Sequence, residues 1–521
     1  MRQVIDVPSA RPFRGRDQLA QNVGPAYIEC MTALALTAAD REFFGALADV
    51  VYGNPFSTPR AELIVRLAPG ADPSDLMSDP EALLRVVEPR LAAWRREGGL
   101  ARLSGEEREL LRPAFLYLCF HFAREQLDAH IERQARQPGA PVPFPFADEM
   151  VGNLVSNGFP EEITARYVAL LFQLRRASYF IYWSLAGRSE SMRRLREALW
   201  NNIFTHDMRG FDAALWNRME DFSTLLLGET GSGKGQAAAA IGRSSFIPYL
   251  PESRRFAANF TETFIAINLS QFPETLIESE LFGHRKGAFT SAIDNYPGVF
   301  GRCSPHGALF LDEIGEVSIP VQIKLLQVLQ ERTFTPLGDR EKKRFSGRVV
   351  AATNRPLTDL RQQGRFRDDF FYRLCSDVIE VPTLRQRLAE SPAELEQLVR
   401  LLLERIAGER AAVLLDRVMA ALERDLPPDY AWPGNVRELE QALRRILLTG
   451  RYKPEASARK AADLEERLIA QLREGRLSAE QLLSGYSAML YDRLGSYAAV
   501  AERTELDPRT SRKYVLSAKS G

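Results

Sequence analysis

Two separated segments, Gly228-Glu229-Thr230-Gly231-Ser232-Gly233-Lys234 and Leu309-Phe310-Leu311-Asp312-Glu313, constrain this chain more than anything else in it. The first follows Ser223-Thr224-Leu225-Leu226-Leu227, which reads as a short buried strand. Its glycines let successive backbone N–H groups converge on phosphate oxygens. A helix from about Lys234 onward would aim the positive end of its dipole at the same anion. Lys234 fills the lysine position of the phosphate-loop pattern G-x-x-x-x-G-K-[ST] and would reach the β- and γ-phosphates. Gly235 stands where a Ser or Thr hydroxyl would meet Mg2+, so metal binding is expected to lean on Asp312, phosphate oxygens and water. Asp312 closes the apolar strand Ala308–Leu311, and Glu313 beside it is the residue to polarise an attacking water. Either segment alone is a common chance match. Together, in this order and each at a strand end, they predict a site that binds and hydrolyses ATP.

At 521 residues the chain exceeds one ordinary core and suggests about three domains. Its 68 basic and 68 acidic residues cancel, so any nucleic-acid contact must come from a local patch. Cys30, Cys119, Cys303 and Cys375 are far apart and lack metal-ligand spacing, which disfavours zinc modules and disulfide scaffolds. The opening Met1-Arg2-Gln3-Val4-Ile5-Asp6 lacks the apolar core of a secretory signal. The longest apolar stretches are too short to span a bilayer or are broken by Arg175 and Arg176. A soluble, cytoplasmic protein with no membrane partner is expected.

Residues 1–200 carry helical periodicity and predict an α-helical N-terminal regulatory or sensor domain of unknown type. Two of its helices are dense in aromatics, one through Phe115, Tyr117, Phe120 and Phe122, the other through Tyr167, Phe172, Tyr179, Phe180, Tyr182 and Trp183. They read as a bundle core, with a ligand pocket or docking face as the alternative. His121 and His130 have no accompanying thiol or carboxylate cluster. From 204 to 385 short apolar strands alternate with helices, which predicts an α/β domain with a parallel sheet. A helical segment at 386–450, a charged helical linker at 451–484 and a small helical unit at 485–521 complete the multidomain expectation.

Between the two halves of the ATP site runs Glu278-Ser279-Glu280-Leu281-Phe282-Gly283-His284-Arg285-Lys286-Gly287-Ala288-Phe289-Thr290-Ser291-Ala292. It resembles E-S-E-L-F-G-H-x-x-G-A-F-T-G-A of the AAA+ domain of sigma-54-dependent transcription activators, the bacterial enhancer-binding proteins. In that family the segment is a loop projecting from a ring and touching the sigma factor. The resemblance implies that Gly287, Ala288, Phe289, Thr290, Ser291 and Ala292 form the contact. It covers Phe222 to about Arg445 and makes 204–385 the ATPase subdomain and 386–450 its helical lid. It implies that Asn268 is the switch residue holding Glu313, and that Thr353 and Asn354 form sensor I near the γ-phosphate. Arg367 and Arg373, in Phe366-Arg367-Asp368-Asp369-Phe370-Phe371-Tyr372-Arg373-Leu374, would be fingers for a neighbouring subunit's nucleotide. Arg437, in Trp432-Pro433-Gly434-Asn435-Val436-Arg437, would be sensor II in cis. Two positions depart from the family: Ser291 replaces a glycine at the loop tip, restricting φ > 0 there, and Gly235 replaces a glutamate.

The C-terminal residues suggest a helix-turn-helix. Tyr497–Thr504 forms the supporting helix, Glu505-Leu506-Asp507 the turn, and Pro508 opens the second helix behind an Asp507 cap. Arg509, Thr510, Ser511, Arg512 and Lys513 would face double-stranded DNA. Four basic and no acidic residues lie between Arg509 and the end, so the local field is positive. A plain helical hairpin is the alternative; the family's habit of ending in such a module favours DNA binding. Together these readings predict a DNA-bound activator that assembles into a ring, a hexamer in its relatives' manner, and remodels sigma-54 RNA polymerase. The rival is a DNA-binding AAA+ regulator or repressor that no longer engages sigma-54, motivated by Ser291. A replication-type ATPase is disfavoured by the 278–292 insertion.

Overall fold

The computed structural model describes residues 36–71, 81–454 apart from 97, 104 and 140, and 468–520 apart from 470, 473, 474 and 476. The opening stretch, Cys30 and much of the expected linker 451–484 lie outside the described residues. Packing separates two compact units: one runs to Leu402 and includes Ala431–Leu439, the other comprises Leu403–Tyr430 and the chain from Glu440 on. The expected lid, 386–450, is thus shared between them.

The first unit opens with helices α1 (Ala38–Tyr52), α2 (Thr58–Leu67), α3 (Glu81–Arg96), α4 (Gly105–Arg136), α5 (Ala147–Ser156), α6 (Glu161–Ser178) and α7 (Glu190–Phe204). Helix α1 starts at Thr37, whose side chain bonds the Asp40 N–H while the Asp40 carboxylate returns to the Thr37 N–H, satisfying two of the donors a helix start leaves open. Phe115, Tyr117, Tyr167, Phe172 and Phe180 are buried in the shared core, but Phe122 and Trp183 are 49% and 61% exposed. His130 is a core residue, ringed by Phe144, Phe172 and Phe256 and bonded to Gln134. Burial pushes its pKa down to about 3, so it stays neutral.

Five parallel strands follow: β1 (Thr224–Leu227), β2 (Phe264–Asn268), β3 (Ala308–Asp312), β4 (Arg348–Thr353) and β5 (Asp377–Glu380), in the spatial order β2-β3-β4-β1-β5. Both faces are apolar, as a sheet covered on both sides requires. Leu226, Phe310, Val350 and Ala352 pack with the N-terminal helices. Leu225, Leu309, Leu311, Val349 and Ala351 pack on the opposite face. The helices around the sheet are α8 (Lys234–Arg243), α9 (Glu274–Phe282), α10 (Ile319–Glu331), α11 (Asp368–Leu374) and α12 (Leu384–Glu390).

The described helices before residue 205 and the parallel sheet therefore share one hydrophobic core. Polar contacts reinforce the union. Arg348, at the start of β4, donates to the backbone and side-chain oxygens of Asn202 on α7, and Asn202 donates to the Thr224 hydroxyl on β1. Arg176 on α6 is fully buried and donates to the carbonyls of Arg243 and Ser245. Those oxygens lie at the C-terminal end of α8, where a cation complements the helix dipole.

The second unit contains α13 (Ala411–Asp425) and a terminal trio, α14 (Ala479–Leu494), α15 (Tyr497–Thr504) and α16 (Pro508–Ser520). Ser478 and Gln481 form a capping box at the start of α14. Leu490, Val500 and Val515 make the trio's small core, with Tyr491 and Tyr497 packed against it.

Candidate functional site: a phosphate loop and a projecting loop

Parallel pairing brings the candidate ATP residues to one edge of the sheet. Asn268 lies beside Asp312 at the ends of β2 and β3, and Leu227, which leads into the phosphate loop, lies beside Thr353 on β4. This carboxyl edge is where open α/β sheets bind ligands. Gly228 leaves the strand, and Gly231 and Gly233 take φ of +78° and +111°, values that admit glycine at little cost. A Cβ on Gly231 would lie 2.2 Å from the Gly434 carbonyl. Lys234 opens α8, is only 6% exposed, and turns its ammonium onto the carbonyls of Gly228 and Glu229 at 2.8 and 3.2 Å. Burial lowers its pKa, Glu313 and Asp312 oppose that shift, and Arg437 adds to it. The Ser232 hydroxyl is buried without a hydrogen-bond partner. Gly235 is exposed, and a side chain there would meet only the Phe310 ring edge, at 4.0 Å.

Glu313 carries the site's clearest sign of strain. It is a non-glycine residue at φ +57°, and its Oε2 is buried with no hydrogen-bond partner. A left-handed φ at such a residue costs on the order of 1–3 kcal/mol and persists where the surroundings enforce it. Asp312 accepts the Glu313 N–H at 3.1 Å.

Three expected contacts are arranged differently. Asn268 does not hold Glu313: its Oδ1 accepts the N–H and hydroxyl of Ser270 at 3.0 and 2.7 Å, capping the turn that leads toward α9. Thr353 is 1% exposed and its hydroxyl accepts the Arg355 N–H, so it faces the interior; Asn354 instead reaches the loop, donating to the Thr230 hydroxyl at 2.8 Å. Arg373 is occupied within its own chain, giving Nε and Nη2 to the Leu329 carbonyl at 3.0 and 2.7 Å. Arg367 forms a two-pronged pair with Asp369 at the exposed start of α11.

Sequence reasoning misses Asn435 as a site residue. It is fully buried at φ +53°, donates to Glu229 Oε2 and the Thr230 carbonyl at 3.1 Å each, and accepts the Leu384 N–H at 2.8 Å. Arg385 clamps the same Glu229 carboxylate at 2.6 and 3.0 Å. The Val436 N–H bonds the Gly231 carbonyl at 3.1 Å. Together these bonds lash the phosphate loop to α12 and to the segment carrying Arg437, whose Cβ lies 2.9 Å from the Cβ position of Gly231.

Helix α9 leads from the Asn268 turn into the second feature, a loop that leaves at Gly283 (φ +79°). Its neck is closed by reciprocal backbone bonds between His284 and Tyr296, and Leu337 bonds both Gly283 and Arg285. The tip is held by Gly287 N–H to Ala292 O and Ala292 N–H to Phe289 O. Phe289, Thr290 and Ser291 are exposed, and the Phe289 ring meets His284 edge-on at 4.9 Å. Ala292 is 5% exposed, so it closes the tip rather than presenting a contact. Ser291 is not among the residues at positive φ, so replacing glycine there carries no backbone strain. A second loop, also missed, supports the first: Arg285 pairs with Asp339 at 2.6 Å, and a Cβ on Gly338 (φ +75°) would lie 2.8 Å from the Ala288 Cβ.

Residues 211–380 match the sigma-54 interaction domain. The Nif-specific regulatory protein of Azotobacter vinelandii is 39% identical over 272 residues, 52% of this chain and 45% of that protein. The DNA-binding transcriptional regulator NtrC of Azospirillum brasilense is 41% identical over 228 residues, 43% of each. Across this region the chain is similar to the sigma-54-dependent activators. The sigma54-dependent transcriptional activator SfnR of Pseudomonas putida is 39% identical over 227 residues, 44% of this chain and 57% of SfnR. The chain thus spans about half the length of the curated relatives it matches. A solved NtrX from Brucella abortus overlaps 71% of this chain and 80% of its own at 21% identity and a TM-score of 0.38, too loose a likeness to bear on the site.

Outside this region, the terminal trio places the remaining candidates. Asp507 caps α16 as expected, accepting from the Arg509 N–H at 2.7 Å and from the Thr510 hydroxyl. Arg509, Arg512 and Lys513 are exposed. Ser511 is wholly buried and cannot face DNA; a position between two exposed arginines gave no warning of this. The turn residue Glu505 takes φ +55°, the conformation for which glycine is the usual choice. No helix among the described residues is long and apolar enough to cross a membrane.

Proposed function

We propose that the protein is an ATP-hydrolysing transcriptional activator that binds DNA, assembles into a ring and remodels sigma-54 RNA polymerase. The observation that carries this reading is Glu313, strained and with an unmatched carboxylate oxygen beside Asp312, facing the same site as the buried Lys234 ammonium. The glycine turns and the start of α8 suit a triphosphate, and Lys234 would exchange its loop carbonyls for phosphate oxygens. Glu313 would orient and polarise water for attack on the γ-phosphorus, and Asn354, beside Thr230, would sense that phosphate. A single carboxylate, Asp312, with no hydroxyl from position 235, fits Mg2+ held mainly by phosphates and water. Bound there, the ion would neutralise phosphate charge. A cavity of about 450 Å³ beside Gly228 and Glu229, bordered by Val381 and Thr383, would take the nucleoside.

In a ring, Arg367 and Arg373 would leave Asp369 and Leu329 to serve a neighbour's nucleotide, so hydrolysis would depend on assembly. Asn268 would transmit the state of the site by yielding its Ser270 cap to Glu313, moving the start of α9 and the loop at its far end. Phe289 and Thr290 would then engage sigma-54. Arg509, Arg512 and Lys513 would bind DNA backbone or base edges. Ser291 motivates the rival, a regulator that no longer engages sigma-54; its φ outside the positive range answers the backbone part of that motive and supports the activator reading.

Glu313→Gln tests this reading. Nucleotide binding should persist while turnover falls by roughly 10²–10⁴-fold, the usual worth of a positioned general base. Wild-type turnover in the variant would remove Glu313 from the role.

A further inference from the structure

Among the N-terminal helices lies a cavity of about 140 Å³, lined chiefly by aliphatic and aromatic side chains. An engineered apolar cavity of roughly 150 Å³ is large enough for benzene. The polar groups at this one are unusual. Arg60, Arg124, Arg175 and His121 all line it, and among the described residues no Asp or Glu does. Asp128 neutralises Arg175 from the side, Nη2 to Oδ2 at 2.7 Å. Among the described residues Arg60 has no such partner: its Nε donates to the Val50 carbonyl at 2.8 Å, and its Nη1 is shielded from solvent with no hydrogen bond. Two further lining residues, His121 and Trp200, each carry a buried, unmatched nitrogen, Nδ1 and the indole Nε1. Burial, with Arg124, Arg60 and Arg175 nearby, pushes the His121 pKa down to about 3, so its neutral ring can donate from Nδ1.

A guanidinium edge shut off from solvent and unmatched buried donors are costly unless something answers them. A carboxylate would: its two oxygens suit the guanidinium fork, with the indole N–H or imidazole N–H as a further donor. The apolar walls would take its body. We propose that this cavity is a binding site for a small organic acid, a carboxylate on an aromatic or branched aliphatic body of about benzene size. The site stands independently of the ATPase reading. It also adjoins the nucleotide machinery. Helix α6 contributes Leu174 and Arg175 to the cavity, while Gln173 and Arg176 of the same helix bond the carbonyls at the end of α8.

Titration calorimetry of the full-length protein with benzoate, benzamide and inorganic phosphate tests the proposal. Benzoate should bind saturably, at least tenfold more tightly than the isosteric but uncharged benzamide, and inorganic phosphate, which the phosphate loop can take, should not compete with benzoate. Arg60→Met should lower benzoate affinity at least tenfold and leave benzamide unaffected. Ala82→Leu, which fills the cavity without touching its charge, should weaken benzoate and benzamide alike and guards against misfolding of the first variant. Equal affinity for benzoate and benzamide, unchanged benzoate binding in both variants, or no benzoate binding at millimolar concentration would overturn the proposal.

Discussion

At the phosphate loop, Glu229, Thr230, Gly231 and Lys234 are each bonded to a neighbour, whereas the projecting loop is bonded at its neck and leaves Phe289, Thr290 and Ser291 open to solvent. The difference suits the roles proposed for them. Donors that meet phosphate charge gain most when they are fixed beforehand. A surface that must engage and release a partner needs a firm base and an accessible end. The same contrast appears in the backbone, since the nucleotide site holds Glu313 and Asn435 at positive φ while the loop confines positive φ to Gly283 and Gly287.

Substitutions can break or sharpen this contrast. Gly231→Ala should have the largest effect, because the new Cβ would stand 2.2 Å from the Gly434 carbonyl at a residue with φ +78°. Steric and backbone strain of about 3 kcal/mol is expected, read as a lowered melting temperature and abolished nucleotide binding. Asn435→Ala would strand the buried Leu384 N–H and free Glu229 from one of its two anchors. A loss of about 2 kcal/mol in urea unfolding is expected, with weakened nucleotide affinity. Gly235→Glu should act in the opposite direction, gaining about 1 kcal/mol from helix propensity and a carboxylate in the first turn of α8, where nothing blocks it. Ser291→Gly should change stability by no more than about 1 kcal/mol and leave ATP turnover unaltered; a large effect would mean that the tip is as tightly determined as the phosphate loop.

The smallest expected effect is a pH dependence. Hydrogen bonds from Arg385, then Asn435, hold the Glu229 carboxyl below its ordinary 4.5 despite burial. A depressed carboxylate pKa stabilises the fold fully above that ordinary value, and the contribution fades as pH falls through the depressed one. Glu229→Gln should flatten that part of the stability profile. An unchanged acid limb would show that the clamp adds nothing.

Which parts were legible in the sequence follows from how local their constraints are. The glycines of the phosphate loop, and Asp312 and Glu313 at a strand end, are legible because phosphate and water chemistry there admits few residue types, while the Gly283–Ala292 excursion is legible through its resemblance to a known family's segment. Asn435 stood in plain view beside Arg437, but its work depends on Leu384 and Glu229, partners remote in sequence. Side-chain direction was hidden too: nothing local shows that Thr353 and Ser511 turn inward, or that Asn268 caps Ser270. The union of the N-terminal helices with the sheet was hidden for another reason. Apolar helix faces do not name their partners, and Arg176 read as a charge interrupting an apolar run rather than as the cation that ends α8.

The most direct test is promoter opening by purified sigma-54 polymerase with Phe289→Ala, ATP turnover being followed in the same reaction. Turnover should continue while open complexes fail to form. Open complexes formed at the wild-type rate would contradict the assignment of this loop as the part that ATP hydrolysis moves against sigma-54.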